Sequence, residues 1–158
     1  MKSLAELARV LDNAPLQGDP GLRVRDLAYD SREVKPGDLF VCVEGFRSDG
    51  HAFAADAVRR GAVALVVERE PEGVEGVPRI RVPESRRALA ILAAEMMGRP
   101  ADRLLTVGIT GTNGKTTTSY LVEAVLKERG QSPGLLGTIE ARVGGSVQRL
   151  ANTTPESL

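Results

Sequence analysis

The chain has 158 residues, 42% apolar and 27% charged, which is the composition of a folded globular protein with one or two small domains. Lys and Arg together number 21, as do Asp and Glu, and with 3% aromatic residues this balance argues against a nucleic-acid-binding or anionic-lipid-binding surface. The single cysteine, Cys42, excludes an internal disulfide and indicates a reducing compartment.

Residues 1–11 predict a short amphipathic helix, because Glu6 and Arg9 interrupt an apolar run that would otherwise resemble a signal peptide. Ser3 is the candidate N-cap, and Glu6 completes the pattern of a capping box. No apolar run approaches the roughly 20 residues that cross a bilayer, so we expect a cytoplasmic protein without membrane insertion. The predicted apolar face of the helix comprises Leu4, Leu7, Ala8 and Leu11.

Strand and helix patterns alternate over the middle of the chain, which predicts an α/β fold. Cys42 lies in an apolar strand and is interpreted as inert packing. His51 is interpreted as a residue at a helix N-terminus, because the chain has no second histidine with which to share a metal. The predicted strands are 38–43, 62–67 and 79–82, and the predicted helices are 52–60 and 84–97.

Gly98-Arg-Pro-Ala101 ends the last of these helices, and we place a boundary there, between a domain of residues 1–98 and one of residues 99–158. A parallel α/β sheet needs more strands than the second segment offers, so we expect the sequence to be the N-terminal part of a longer protein. The predicted elements of the second domain are a strand from Leu104, a helix over 115–129, a strand over 135–143, a turn at Gly144-Gly145 and a helix start at Thr154-Pro155.

The segment Gly111-Thr-Asn-Gly-Lys-Thr-Thr117 lies between the predicted strand and helix of the second domain. Its glycines allow the backbone to wrap an anion, Lys115 can reach the β- and γ-phosphates, and the Thr116 hydroxyl can bind Mg²⁺. The pattern departs from the widest form of the phosphate-binding loop, which would have a glycine where Ile109 stands. A simple glycine-rich turn is the alternative, but the strand, the lysine and the helix together favour a site for ATP.

Two further polar segments allow two interpretations each. Asp30-Ser-Arg32 is typical of a solvated turn after a strand, in which Arg32 pairs with a nearby carboxylate. Asn152-Thr-Thr154 is typical of a capped helix start, although hydroxyls and backbone N–H groups at a helix start can also bind a diphosphate. From the residues alone the structural interpretation is favoured for both.

Several segments together resemble the Mur ligases, which add amino acids to the UDP-linked precursor of bacterial peptidoglycan. The D-S-R and P-G-D-L-F patterns narrow the resemblance to the members that add the third residue or the terminal dipeptide, and L-G-T-I with N-T-T-P favours the former. The segments are Tyr29-Asp-Ser-Arg32, Pro36-Gly-Asp-Leu-Phe40, Gly45-Phe-Arg-Ser-Asp-Gly-His51, Gly111-Thr-Asn-Gly-Lys-Thr-Thr117, Leu136-Gly-Thr-Ile139 and Asn152-Thr-Thr-Pro155.

The resemblance implies a small N-terminal α/β domain that binds the UDP precursor, followed by the start of a mostly parallel, ATP-binding phosphate-loop domain. It implies that Lys115 is catalytic and that Thr116 holds Mg²⁺. The implied ATP-binding residues are Gly111, Thr112, Asn113, Gly114, Lys115, Thr116 and Thr117. The implied substrate-binding residues are Tyr29, Ser31, Phe46, Arg47, Ser48, Asn152, Thr153 and Thr154, of which residues 46–48 depart from the His-Gln-Ala that relatives often carry.

The implied reaction is ATP-dependent amide formation. The dipeptide of UDP-N-acetylmuramoyl-L-alanyl-D-glutamate receives a diamino acid through an acyl phosphate, and we expect these 158 residues alone to be inactive. Alternatives are a nucleotide-binding module without catalysis, a Mur ligase that adds the terminal dipeptide, and a small kinase. The kinase is disfavoured because no Walker-B segment follows the loop.

Overall fold

The computed structural model describes residues 1–45 and 48–149. Their contacts form two compact units, divided between Leu104 and Leu105. The sequence places the boundary earlier, after Gly98, where the helix ends. The residues between form a 3₁₀ turn, Pro100–Arg103, and the N–H of the preceding Arg99 donates to the carbonyl of Ala94 in the helix, at 2.7 Å. This hydrogen bond keeps the turn with the first unit.

The first unit has a five-stranded sheet of order β2-β7-β6-β5-β4, in which β4 to β7 are parallel and β2 is an antiparallel edge strand. Its strands are Lys2–Ser3 (β1), Leu16–Gln17 (β2), Arg23–Val24 (β3), Leu27–Ala28 (β4), Leu39–Val41 (β5), Ala64–Val67 (β6) and Arg79–Arg81 (β7). Its α-helices are Leu4–Val10 (α1), Ala54–Arg59 (α2) and Ser85–Met96 (α3), and β1 pairs with β3.

Helices cover both faces of this sheet. Along β5, Leu39 and Val41 pack on one face with α1 and α3, whereas Phe40 packs on the other face with α2. The β5 and β6 strands are therefore buried throughout, because successive side chains point to opposite, equally covered faces. The predicted α/β fold is confirmed here, and the sheet is mostly parallel.

The predicted capping box at the start of α1 is confirmed. The Glu6 N–H donates to the Ser3 hydroxyl at 3.2 Å, and the Ser3 N–H donates to the Glu6 carboxylate at 2.6 Å. All four predicted apolar residues of the helix, Leu4, Leu7, Ala8 and Leu11, are buried. A helix of this length is marginal by itself, so the cap and the buried face together stabilise it.

Removing the cap tests this contribution. We expect Ser3→Ala to lower the free energy of unfolding of the first unit by about 1 kcal/mol, because an N–H of the first turn loses its acceptor. Ser3→Asp is the control, since its carboxylate also accepts at an N-cap and should retain the stability. Urea unfolding followed by circular dichroism gives both values, and equal losses in the two variants would contradict a capping role.

The second unit has one helix, Lys115–Glu128 (α4), and an antiparallel sheet of order β10-β9-β8. The single strand predicted over 135–143 is wrong. A turn closed by the Gly137 N–H and the Glu140 carbonyl, at 3.1 Å, divides it into Leu135–Leu136 (β8) and Ala141–Val143 (β9). The predicted Gly144-Gly145 turn leads into Ser146–Gln148 (β10), and both glycines have positive φ, as tight hairpin turns require.

The segment before the glycine-rich loop does not form the predicted strand. Residues 105–110 pair with no strand in the part of the chain that the structure describes. Leu105 is 93% exposed and Val107 59% exposed, although their apolar pattern is that of a buried strand. An apolar run becomes a strand only where a neighbour supplies hydrogen bonds, and no such neighbour is described. The helix start predicted at residues 154–155 lies outside the described residues.

No helix among residues 1–45 and 48–149 is both long enough and apolar enough to cross a membrane.

Candidate nucleotide and substrate sites

The glycine-rich loop ends where the sequence predicts, at the first residue of α4. Gly111 has φ +152° and Gly114, the N-cap, has φ +76°, while no side chain caps the helix. A β-carbon at Gly114 would strain this left-handed backbone, so the turn into the helix requires glycine. The helix N-terminus therefore carries no protein acceptor of its own.

The first turn of α4 has free hydrogen-bond donors. Its first backbone bond joins the Thr118 N–H to the Gly114 carbonyl, at 2.9 Å. Within the described residues, the N–H groups of Lys115, Thr116 and Thr117 consequently have no acceptor. Free N–H groups and the positive end of the helix dipole together form an anion-binding surface.

The Lys115 ammonium lies over the same loop. It donates to the Gly111 carbonyl at 2.6 Å and approaches the Thr112 carbonyl at 3.5 Å. In the described chain it has no carboxylate partner, so its charge is not neutralised by the protein. A phosphate bound at the first turn of α4 would be within the reach of this side chain.

Thr116 places a half-buried hydroxyl in the first turn, and its carbonyl accepts from the Ser119 hydroxyl at 2.8 Å. Among the described residues, no cluster of three or more His, Cys, Asp or Glu side chains could hold a metal ion. The Thr116 hydroxyl is the kind of oxygen ligand that Mg²⁺ accepts beside phosphates and water.

A polar network joins α4 to the hairpin that follows it, and the sequence analysis did not single it out. The buried Glu123 carboxylate contacts Lys127 at 2.6 Å and Arg142 at 3.3 Å. The Tyr120 hydroxyl donates to Glu140 at 2.8 Å, which lowers the pKa of that carboxyl, and the Arg142 guanidinium lies 4.7 Å from the centre of the Tyr120 ring. The network holds Glu140 and Arg142, which follow the Leu136-Gly-Thr-Ile139 segment, against α4. Only the Glu123–Lys127 spacing is readable from sequence.

A second site candidate lies at the carboxyl edge of the parallel sheet in the first unit. Tyr29 and Ser31 follow β4, and Ser48 follows β5. Because β4 and β5 are parallel neighbours, the three residues share the edge at which α/β sheets bind ligands. The structure thus places three of the predicted substrate-binding residues after neighbouring strands at one edge of the sheet. Phe46, Arg47, Asn152, Thr153 and Thr154 lie outside the described residues.

The two predicted residues after β4 already have protein partners. Tyr29 packs against the apolar core, and Ser31 is buried at the start of the 3₁₀ turn Ser31–Glu33. Hydrogen bonds from Arg60 and then from the Ser31 hydroxyl lower the pKa of the Asp56 carboxyl. Ser31 thus ties the edge of the sheet to α2, so a ligand at this edge would meet a fixed backbone.

Arg32 pairs with a nearby carboxylate, as the structural interpretation of its segment proposes. It binds Asp30 with Nε at 2.9 Å and Nη2 at 2.6 Å. These hydrogen bonds, together with the Arg32 backbone N–H, lower the pKa of Asp30 to about 2. The pair keeps Asp30 ionised, and its carboxylate caps the turn that contains Ser31.

His51 is at a helix N-terminus, as predicted: it is the second residue of the 3₁₀ helix Gly50–Phe53, which leads directly into α2. Its ring is buried, and both of its nitrogens have partners.

Cys42 is fully buried directly after β5, and burial raises the pKa of its thiol to about 12. We expect thiol labelling of the folded chain at pH 8 to be slower than labelling in denaturant by roughly 10³-fold, because the reactive thiolate is suppressed. Since the folded pKa is raised from 9.0 to about 12, this group's contribution to stability is complete below pH 9.0 and is lost as the pH rises toward 12. Equal labelling rates would contradict the burial, and Cys42→Ala gives the reagent blank.

Comparisons with known proteins find matches to both units of the chain. Two family models match the chain, the catalytic domain of the Mur ligase family over residues 23–96 and the Mur ligase middle domain over residues 109–158. A relative from Syntrophomonas wolfei, named UDP-N-acetylmuramoyl-L-alanyl-D-glutamate–2,6-diaminopimelate ligase, is 44% identical over 98% of this chain and 32% of its own length. One of the same name from Geobacillus thermodenitrificans is 54% identical over 84% of this chain and 27% of its own length.

Solved structures show a similar fold. The chain is similar to MurF from Acinetobacter baumannii, with a TM-score of 0.61 and 27% identity over 87% of this chain and 28% of that chain. A structure named for the diaminopimelate ligase has a TM-score of 0.70 at 24% identity, over 93% of this chain and 30% of that chain, and shows the fold alone. The chain spans about a third of the length of the curated relatives it matches.

Proposed function

Because this chain belongs to the Mur ligase family, we propose that the protein carrying it is an ATP-dependent ligase that adds a diamino acid to UDP-N-acetylmuramoyl-L-alanyl-D-glutamate. The relatives named for this reaction with diaminopimelate, at 37% to 54% identity, support the choice of substrate. The observation that carries the proposal is the Gly111–Thr117 loop, whose free N–H groups and unpaired lysine lie at one helix N-terminus. The proposal includes a cytoplasmic location, as the single cysteine and the absence of an apolar run long enough to cross a bilayer lead us to expect.

In this proposal ATP binds at the Gly111–Thr117 loop. The N–H groups of residues 115–117 would donate to the phosphates, and the Lys115 ammonium would exchange its carbonyl partners for the β- and γ-phosphates. Thr116 would hold Mg²⁺, which supplies charge neutralisation on the phosphates when bound. These groups lower the barrier by positioning and by charge stabilisation, with no covalent role for the protein.

In the proposed reaction the D-glutamyl carboxylate attacks the γ-phosphorus of ATP and releases ADP. An amine of the diamino acid then attacks the resulting acyl phosphate, so that an amide forms and inorganic phosphate leaves. Lys115 would stabilise the negative charge that develops on the transferring phosphoryl group. None of the described residues supplies an amino-acid site, and we assign none.

The carboxyl edge of the first unit's sheet is the proposed place for the UDP part of the precursor. This proposal is supported by the position of Tyr29 and Ser31 after β4 and of Ser48 after β5, its parallel neighbour. Phe46 and Arg47, and the segment Asn152–Thr154, remain predictions for the same substrate. The exposed Ser48 side chain offers a hydroxyl of the kind that hydrogen-bonds to nucleotides.

The test is ligation by the full-length gene product, supplied with the UDP-linked dipeptide, ATP and Mg²⁺. We expect ADP release and a product heavier by one diamino acid in mass spectrometry, with diaminopimelate or with lysine as the added residue. ADP binding without ligation of any amino acid would favour a nucleotide-binding module and overturn the proposal.

A ligase that adds the terminal dipeptide is the second candidate, because the MurF structure from Acinetobacter baumannii has the same fold at 27% identity. The same assay distinguishes the two. Ligation of D-alanyl-D-alanine to the UDP-linked tripeptide, with no reaction of the dipeptide, would establish this alternative.

A further inference from the structure

The chain turns between Glu44 and Asp49, after the end of β5, and the structure describes this turn at residues 44–45 and 48–49. Its two ends pair as an isolated antiparallel bridge, and the Gly45 N–H donates to the Ser48 carbonyl at 2.9 Å. Ser48 is exposed and directly precedes Asp49. The position of Ser48 is therefore set by whatever fixes Asp49.

Gly50 anchors this turn to the sheet. A β-carbon there would lie 2.7 Å from the Val43 nitrogen and 2.9 Å from the Cys42 carbonyl carbon, so only glycine fits against this backbone. The Gly50 N–H also donates to the Val43 carbonyl at 2.9 Å. The return of the chain toward α2 is thus held on the end of β5.

One side chain from the neighbouring strand joins the two ends of the turn. Arg69 follows β6, its Nη1 lies 3.5 Å from Glu44 Oε2, and its Nη2 contacts the Asp49 carboxylate. The planar guanidinium can serve both acids at once because its donors point in different directions. The Arg69 charge also offsets two carboxylates that would otherwise face each other across the turn.

A buried histidine fixes Asp49 from the other side. His51 Nε2 accepts the Glu68 N–H at 3.0 Å, so the proton is on Nδ1, which donates to Asp49 Oδ1 at 2.7 Å. The Asp49 carboxylate additionally accepts the His51 N–H at 3.0 Å. Asp49 therefore has fixed partners from its own turn and from the end of β6.

We propose that Arg69, acting through Asp49 and His51, is a positioning residue that holds Ser48 ready for the UDP part of the substrate. The inference rests on the proposed function, which puts that part at the sheet edge after β4 and β5. A residue that is held in place before binding loses less conformational entropy when the ligand arrives. The Arg69 charge has a second effect, since without it the Glu44 and Asp49 carboxylates would lose their shared cation near a diphosphate.

Arg69→Gln in the full-length gene product tests the inference. We expect the KM for the UDP-linked dipeptide to rise about three- to tenfold. The kcat and the KM for ATP should stay unchanged, because the phosphate loop is in the other unit. Arg81→Gln is the matched control, since Arg81 is exposed at the carboxyl end of the adjacent strand β7 and should leave every constant unchanged.

Arg69→Lys separates positioning from charge. Lysine keeps the positive charge but lacks the fork that reaches both Glu44 and Asp49, so most of the rise in KM should remain. A KM restored to the unmodified value in Arg69→Lys, or an unchanged KM in Arg69→Gln, would overturn the inference. Ligation by the unmodified protein would still leave the proposed function intact. Calorimetric titration with UDP compares the affinities of the unmodified protein and Arg69→Gln without turnover. Absence of ligation would therefore overturn only the proposed function.

Discussion

Replacing Lys115 with alanine should lower kcat/KM for ATP-dependent ligation by at least roughly 10²- to 10³-fold in the full-length gene product. The Lys115 ammonium lies over the loop, where it contacts the carbonyls of Gly111 and Thr112 and has no carboxylate partner among the described residues. Its removal takes away a charge positioned for the transferring phosphoryl group, and the free N–H groups of α4 cannot replace it.

The measurement is ADP release at saturating UDP-linked dipeptide, with Lys35→Ala as the control. Lys35 is exposed in the first unit, so the same substitution there should leave the rate unchanged. A near-normal rate in Lys115→Ala would remove Lys115 from the proposed mechanism. Circular dichroism of both variants establishes that they are folded, since Lys115 is exposed and contributes no packing.

Phe40→Ala should cost the first unit about 3–5 kcal/mol of its free energy of unfolding. Phe40 is fully buried in the middle of β5, where it packs with Leu65 and Ala57 between the sheet and α2. The substitution removes the largest side chain of this cluster and leaves a cavity that the rigid β-strands on either side cannot fill.

Phe53→Ala is the matched control, because Phe53 is 45% exposed and its loss should change stability by about 0.5 kcal/mol or less. Urea unfolding of the two variants provides the comparison. Equal destabilisation would mean that the cluster around Phe40 is not the core on this face of the sheet.

Local patterns were the most reliable guide to this fold. The capping box of Ser3 and Glu6 needs only residues three apart, and the Gly144-Gly145 turn needs only two glycines, so both could be predicted without tertiary information. The buried run in β6 was predictable because a continuous apolar run of this length indicates a strand that is covered on both faces.

Features that depend on distant partners could not be predicted. The apolar residues before the loop predict a strand, yet 105–110 lack a described neighbour and stay unpaired. The predicted strand over 135–143 is divided because Gly137 and Glu140 close a turn that a simple apolar count does not detect. Both errors arise because hydrogen-bond partners decide strand boundaries and apolar content does not.

The two candidate sites also differ in how far they could be predicted from the sequence. The Gly111–Thr117 loop could be predicted because all of its chemistry lies in consecutive residues. The edge that Ser31 shares with Ser48 required the knowledge that β4 and β5 are parallel neighbours. The bridging contacts of Arg69 join residues from two strand ends, and no spacing in the sequence indicates them.

The strand order of the first unit has a consequence for synthesis on the ribosome. The edge strand β2, near the N-terminus, pairs with β7, and α1 packs in one cluster with Leu89 and Leu92 of α3. Residues 1–17 therefore lack these partners until the ribosome has synthesised Met96, about 80 residues later. At usual translation rates this delay is roughly 4 to 16 s. During that interval the apolar face of α1 can pack against Val24 and Leu39 of the same cluster but lacks the cover that α3 supplies.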